Sequence, residues 1–153
     1  MKDSRVGASG IQAFFLIVSL QIATLIKIGD LALLVIPMAN FLGRVSPLWA
    51  IEYFPYLFKE GKGSFHKKNW KGYLEEIKPS VITIIVISPL LIYKFISNIE
   101  YLSLLIFIFL GIISTFIIPH LIGNRLGGHS GDSYGASVVL VETFIFLLAA
   151  IFS

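Results

Sequence analysis

Residues 101–118 form a run with no charged side chain, and residues 135–152 repeat the pattern with Glu142 alone. A helix crosses a hydrocarbon core of about 30 Å with roughly twenty apolar residues. In lipid, every backbone N–H and C=O must be satisfied within the protein, so such runs fold as helices rather than as open strands. Residues 11–28 and 79–96 have the same character, with one lysine each, Lys27 and Lys94. Residues 31–58 are less regular, because Pro37, Arg44, Pro47 and Glu52 interrupt them. This stretch reads as one broken span, with two half-helices dipping into the membrane as the alternative. The expectation is an all-α, polytopic membrane helix bundle of about five spans, near residues 11–28, 31–58, 79–96, 101–118 and 135–152, in one integral membrane domain over residues 1–153.

Composition agrees. The chain is 56% hydrophobic and 14% charged, with a mean hydropathy of +0.87, whereas a soluble domain carries about a quarter charged residues. It has no cysteine, which excludes disulfides, thiolate metal sites and cysteine nucleophiles. Gly29-Asp30 makes a poor cleavage site, so the first run is a retained span rather than a signal peptide. The partners expected are a lipid bilayer and small substrates, not nucleic acid.

Lysine and arginine set the orientation. The stretch 59–78 carries Lys59, Lys62, Lys67, Lys68, Lys71 and Lys78, the N-terminus has Lys2 and Arg5, and the loop before the last run has Arg125. The opposite loops, 29–30 and 97–100, are short and not basic. With five crossings, the N-terminus, the lysine stretch and the last loop all face the cytoplasm of a cell (inner) membrane. Most of the lysines read as an anchor to anionic lipid.

Three polar clusters then converge on one side. The first is Asp3-Ser4-Arg5, followed by Gly7 and Gly10, where glycines in a first helical turn hint at close approach of a backbone or ligand. The second is Gly43-Arg44 with Pro55-Tyr56 and Glu60-Gly61-Lys62-Gly63. Arg44 falls inside the membrane, where a guanidinium is paired or functional, and Glu52 and Glu142 are its candidate partners. The third is the polar stretch 124–136, with Gly127, Gly128, Gly131 and Gly135 beside Arg125, His129, Ser130 and Asp132. Glycines let backbone N–H groups close on a ligand, and the helix that follows favours negative charge at its start. Arg125 offers a fork of donors suited to phosphate, and Asp132 can hold a divalent cation. This cluster reads as a site for a phosphorylated ligand at a membrane surface. It is neither a Walker A loop nor a dinucleotide fingerprint. His66, His120 and His129 lack metal-ligand spacing, and His129 draws interest only through the loop around it.

In order and spacing, these clusters resemble the cobalamin synthase family, the adenosylcobinamide-GDP ribazoletransferases. The start Met-Lys-Asp-Ser-Arg-Val-Gly-Ala-Ser-Gly is similar to that family's Met-Arg/Lys-Asp-Ser-Arg-Ile/Val-Gly-x-x-Gly. Gly43-Arg44 and Pro55-Tyr56…Glu60-Gly61-Lys62-Gly63 resemble its Gly-Arg…Pro-Tyr-Ala-Arg-x-Glu-Gly-x-Gly stretch, with Phe58 where arginine is usual. Leu126-Gly-Gly-His-Ser-Gly-Asp-Ser-Tyr-Gly-Ala136 is similar to Leu-Gly-Gly-x-Thr-Gly-Asp-x-x-Gly-Ala, with Ser130 keeping the hydroxyl of the commoner threonine. The resemblance implies a Mg²⁺-dependent transferase that joins adenosylcobinamide-GDP to α-ribazole, or its 5′-phosphate, with release of GMP. It assigns Asp132 to metal and catalysis and Arg125 to catalysis. Substrate binding falls to Asp3, Ser4, Arg5, Arg44, Glu60, Gly61, Gly127, Gly128, Ser130 and Gly131.

The family also carries an acidic Asp-Gly-x-x-Asp-x-x-Asp-Gly motif ahead of its Asp-Ser-Arg segment. A separately encoded N-terminal half is therefore an expected partner, unless the chain is one part of a longer reading. The alternatives are a catalytically incomplete membrane remnant and a small transporter with Arg44 in its path. A transporter should show broken spans in two related halves, and only 31–58 looks broken.

Overall fold

A computed structural model of the protein describes residues 7–58, 62–79, 81–82 and 101–152. The helices are α1 (Ala8–Ile28), α2 (Ala32–Tyr53), α3 (Lys62–Lys68), α4 (Tyr101–Leu126) and α5 (Gly131–Phe152), with a single 3-10 turn, Gly29–Leu31, between α1 and α2. A further helical stretch covers residues 73–79. Among the described residues there is no strand, only one isolated parallel bridge between Tyr56 and His129. The chain is a helical membrane bundle: Ala8–Tyr53, Leu105–Leu126 and Gly131–Phe152 are helical stretches long and apolar enough to cross a bilayer. The expected span 79–96 lies mostly outside the described residues.

Helix α5 is the centre, packed by α1, α2 and α4. Val141, Ile145, Phe146, Leu148 and Ala149 of α5 meet Val35, Ala39 and Leu42 of α2, Phe107 of α4 and Ile28 at the end of α1. Small residues let the backbones approach, as membrane helices require when lipid offers no hydrophobic drive to associate. A Cβ on Gly43 would lie 2.8 Å from Glu142 Cγ, and one on Gly111 would lie 3.3 Å from Leu42 Cδ1. Large apolar side chains point outward instead, among them Phe14, Phe15, Leu33, Phe109 and Phe144.

Buried serine and threonine hydroxyls of the spans are satisfied inside their own helices. Thr24 donates to Leu20 and Gln21 carbonyls, Ser114 and Thr115 to Gly111, Ser137 to Ser133, and Thr143 to Val139. Across helices, Gln21 Nε2 donates to Thr143 Oγ1 at 2.8 Å, and Lys27 Nζ donates to the Ala150 carbonyl.

Three sequence expectations change here. The stretch 31–58 is not broken at its prolines: α2 is continuous through Pro37 and Pro47. Pro47 has no N–H for the Gly43 carbonyl four residues earlier, and Ser46 Oγ takes that acceptor at 2.8 Å. The helix ends at Tyr53, and Phe54 is extended (φ −118°, ψ 150°). The polar stretch 124–136 is also shorter than it reads. Helix α4 continues through Pro119 to Leu126 and α5 begins at Gly131, leaving residues 127–130 as the turn. Gly7, finally, has no backbone of the described residues packed against it, since among them a Cβ there would meet nothing within 4 Å.

Contacts fix the helix directions. Gln21 and Lys27 of α1 meet Thr143 and Ala150 of α5, so these two run the same way. Gly43 lies against Glu142 while Pro55 bonds His129, so α2 runs against α5. Gly111 and Gly123 of α4 meet Leu42 and Phe54, so α4 runs with α2. The start of α1, the end of α2, the end of α4 and the start of α5 therefore share one end of the bundle, while the Gly29–Leu31 turn lies at the other.

Candidate functional site

That shared end is organised around the 127–130 turn. Gly127 (φ 72°) and Gly128 (φ 153°) take backbone conformations that other residues rarely adopt. Gly128 N–H donates to the Gly123 carbonyl at 3.0 Å and closes the end of α4. His129 then pairs with the extended segment after α2: its N–H donates to the Pro55 carbonyl at 2.9 Å, and Leu57 N–H donates to its carbonyl at 2.8 Å. The approach is so close that a Cβ on Gly128 would lie 2.6 Å from the Pro55 carbonyl oxygen. Two stretches far apart in sequence, the Pro55-Tyr56 motif and the glycine-rich motif, are thus knitted backbone to backbone.

Ser130 caps α5. Its Oγ accepts the Ser133 N–H at 3.2 Å, and Ser133 Oγ accepts the Ser130 N–H at 2.8 Å, a reciprocal box with serine where glutamate is commoner. The Ser130 carbonyl accepts the first helical bond, from Tyr134 N–H at 3.0 Å. Of the first-turn donors, those of Gly131 and Asp132 have no partner within the helix. Both residues are exposed, as are Gly127, Asn124 and Arg125. The turn thus offers an outward face with two backbone donors, the Asp132 carboxylate and, from the last turn of α4, Arg125. The glycines act differently from the sequence reading. The N–H groups of Gly128, His129 and Ser130 are engaged within the fold, so the donors for a ligand lie one step later, at the start of α5.

His129 is the residue that sequence reasoning passed over. It is wholly buried. Its Nε2 lies 3.0 Å from the Pro119 carbonyl oxygen and its Nδ1 lies 3.0 Å from Ser133 Oγ. Its ring stacks on Tyr134 (5.3 Å, 13°), which stacks on Tyr56 (6.2 Å, 29°), while Phe54 meets it edge-on at 5.3 Å. Burial lowers its pKa below the usual 6.5, and the bond to the Pro119 carbonyl pulls weakly the other way. Among the described residues the Tyr134 hydroxyl is buried without a hydrogen-bond partner. The local signal for this cluster was His129 and Ser133 at i, i+4 across a helix start; its other partners come from distant elements.

The remaining predicted residues divide clearly. Arg125, Gly127, Gly128, Ser130, Gly131 and Asp132 are together at the turn. Arg44 is not: it lies nine residues before the end of α2, roughly 14 Å down the helix. Neither expected carboxylate forms a direct ion pair with it among the described residues, where the one salt bridge is Lys78–Glu75. Glu142 packs against Gly43 and interacts with Arg44 electrostatically, whereas Glu52 accepts the Trp70 indole N–H. Lys67 Nζ donates to the Ile51 and Glu52 carbonyls and so caps the C-terminus of α2. Asp3, Ser4, Arg5, Glu60 and Gly61 lie outside the described residues. Among the described residues no three His, Cys, Asp or Glu side chains gather as a metal site. Asp132 alone suits Mg²⁺ in the way that ion is often held, by one or two carboxylates with substrate phosphate oxygens as further ligands.

Comparison with known proteins covers the same motifs. An adenosylcobinamide-GDP ribazoletransferase of Prochlorococcus marinus is 53% identical over 152 residues, which are 99% of this chain and 59% of that protein. Proteins of the same description from Thermosynechococcus vestitus and Desulforamulus reducens are each 34% identical, over 95% and 97% of this chain and 54% and 56% of their own lengths. The chain thus spans a little over half the length of these curated relatives. No solved structure matches it. The family described as cobalamin-5-phosphate synthase matches residues 1–150, and the chain belongs to that family.

Proposed function

We propose that this chain forms the membrane-embedded part of an adenosylcobinamide-GDP ribazoletransferase, with its chemistry at the end of the bundle where the 127–130 turn meets Pro55–Leu57. Family membership supports the reaction class. The observation that carries the location is the pairing of the two motifs through His129, with Asp132 and the Gly131 and Asp132 N–H groups facing outward beside Arg125. In the reaction, a hydroxyl oxygen of α-ribazole, or of its 5′-phosphate, forms a bond to the phosphorus attached to the corrinoid arm. The bond from that phosphorus to the bridging oxygen breaks, GMP leaves with the electron pair, and the hydroxyl proton is released. Such transfer is mostly positioning and charge neutralisation.

Here Arg125, the start of α5 and Arg5 hold the diphosphate, and Ser130 contributes its hydroxyl. Asp132 would hold a Mg²⁺ ion together with substrate phosphate, and the ion would supply positive charge for the transfer. Asp3, Ser4, Glu60 and Gly61 complete the substrate contacts on this reading, and Arg44 orients the polar interior. The bundle sits in the cell membrane with this end cytoplasmic, as the lysines of 59–78 favour. A second participant is part of this reading: the chain spans 59% of the length of its Prochlorococcus marinus relative. A further protein segment carrying carboxylates, such as an N-terminal half, would add to Asp132.

The test is product formation from adenosylcobinamide-GDP and α-ribazole in membranes containing this chain, with Mg²⁺, with and without a supplied segment covering the remaining length of the relatives. Product in either arm supports the transferase, and the arm that gives it decides whether a second segment takes part. Folded protein with no product in either arm contradicts it.

A further inference from the structure

We infer that His129 is a positioning residue, a buried pin that acts through Ser133 to hold the first turn of α5, and with it Ser130 and Asp132, in one orientation. Its catalytic consequence rests on the transferase reading; the pin itself does not. Every polar group of His129 is engaged. The backbone N–H and carbonyl bond Pro55 and Leu57, Nε2 reaches the Pro119 carbonyl, and Nδ1 reaches Ser133 Oγ. One residue thereby joins the segment after α2, the body of α4 and the start of α5.

The partners fix the tautomer. A carbonyl oxygen only accepts, so Nε2 carries the proton and donates to Pro119. In the neutral ring Nδ1 then accepts, and the Ser133 hydroxyl donates to it. With its proton committed there, Ser133 Oγ turns its lone pairs towards the Ser130 N–H at 2.8 Å. Without the imidazole, the same hydroxyl can swing to the Ser130 carbonyl, 3.0 Å away. The histidine thus decides how Ser133 meets Ser130, and Asp132 lies between these two capped residues. The surroundings are shaped to the ring: a Cβ on Gly123 would lie 2.8 Å from Nε2, and Tyr134 and Phe54 cover its face and edge. In the glycine-rich motif, positions 129, 133 and 134 are those the family resemblance leaves unspecified, and the pin rests on the contacts these residues make here.

Two variants separate the two ends of the pin. His129→Asn keeps an acceptor near the Nδ1 position and loses the Pro119 bond; His129→Gln reaches towards Pro119 and loses the Ser133 bond. The experiment measures backbone hydrogen exchange over residues 129–134 together with transferase kinetics, in wild type, H129A, H129N, H129Q and S133A, in the full membrane preparation. Expected is faster exchange at Ser130 and Ser133 in H129A, H129Q and S133A. Their kcat should fall about tenfold while KM for adenosylcobinamide-GDP moves less than twofold, and H129N should recover most of both. Unchanged exchange in folded H129A overturns the pin, whatever the activity. Equal losses in H129N and H129A overturn the route through Ser133. A wild type that shows the exchange pattern but no transfer, with and without the segment covering the remaining length of the relatives, overturns the transferase reading and leaves the pin standing. H129N and S133A also keep the comparison decisive if H129A fails to fold.

Discussion

Gly127 and Gly128 are adjacent and both have positive φ, yet their surroundings differ. At Gly127 a Cβ meets nothing within 4 Å, so Gly127→Ala carries only the backbone cost, about 1 kcal/mol. At Gly128 the same atom would sit 2.6 Å from the Pro55 carbonyl oxygen, in strained backbone worth a further 1–3 kcal/mol or so. Thermal unfolding in detergent should rank wild type above G127A and G127A well above G128A; the reverse order would mean that the Pro55 pairing does not form. His129 gives a pH dependence of definite sign. Its folded pKa is lowered by burial, so the unfolded chain binds its proton first. The stability it contributes is complete above about pH 6.5 and is lost as pH falls from there towards the lowered folded value. Unfolding midpoints taken from pH 7.5 to 5 should fall in wild type and fall less in H129N. At this scale the grouping of Gly127, Gly128, Ser130, Arg125 and Asp132 around one turn was legible, because glycine spacing and charge type carry local meaning, whereas the engagement of the Gly128, His129 and Ser130 N–H groups within the fold was not. His129 was not, because a lone histidine has no pattern and two of its partners, Pro119 and Pro55, come from other helices' ends and bodies.

Helices show where hydropathy informs and where it stops. The apolar runs 11–28, 101–118 and 135–152 lie within α1, α4 and α5, since a hydrocarbon core demands helices of that length. Boundaries moved because polar residues can also be helical: 119–126 continue α4, and the Ser130 cap starts α5 at Gly131. The prolines misled for a related reason. Hydropathy does not show that Ser46 satisfies the carbonyl that Pro47 abandons. The cap makes a direct prediction. Ser130→Ala should cost about 1 kcal/mol and fray the first turn of α5, seen as faster exchange at residues 131–134, and Ser130→Thr or Ser130→Asp should restore it. Protection unchanged in S130A would show that the Ser133 half of the box suffices.

The molecule as a whole arranges its helix ends so that the start of α1, the end of α2 and the 127–130 turn lie together. The basic residues already grouped these segments on one side, and helix directions group them independently. Depth was legible for Arg44, which reads as lying inside the membrane and which nine residues of helix separate from the end of α2; its lack of a direct ion pair with Glu52 or Glu142 among the described residues was not. A chain without cysteine accepts single reporters cleanly. S9C, K68C and N124C should react with an impermeant thiol reagent from one side of sealed vesicles and D30C from the other. Labelling of S9C and N124C from opposite sides would refute the arrangement.

The proposed phosphorus chemistry lies at the turn that presents Asp132. The most direct measurement is GMP release from adenosylcobinamide-GDP in the presence of α-ribazole and Mg²⁺, comparing wild type with Asp132→Asn in membranes supplied with the remaining family segment. The expected result is a fall of about a hundredfold or more in D132N with an unchanged unfolding midpoint. An Asp132→Asn protein that releases GMP within twofold of wild type would place the chemistry elsewhere.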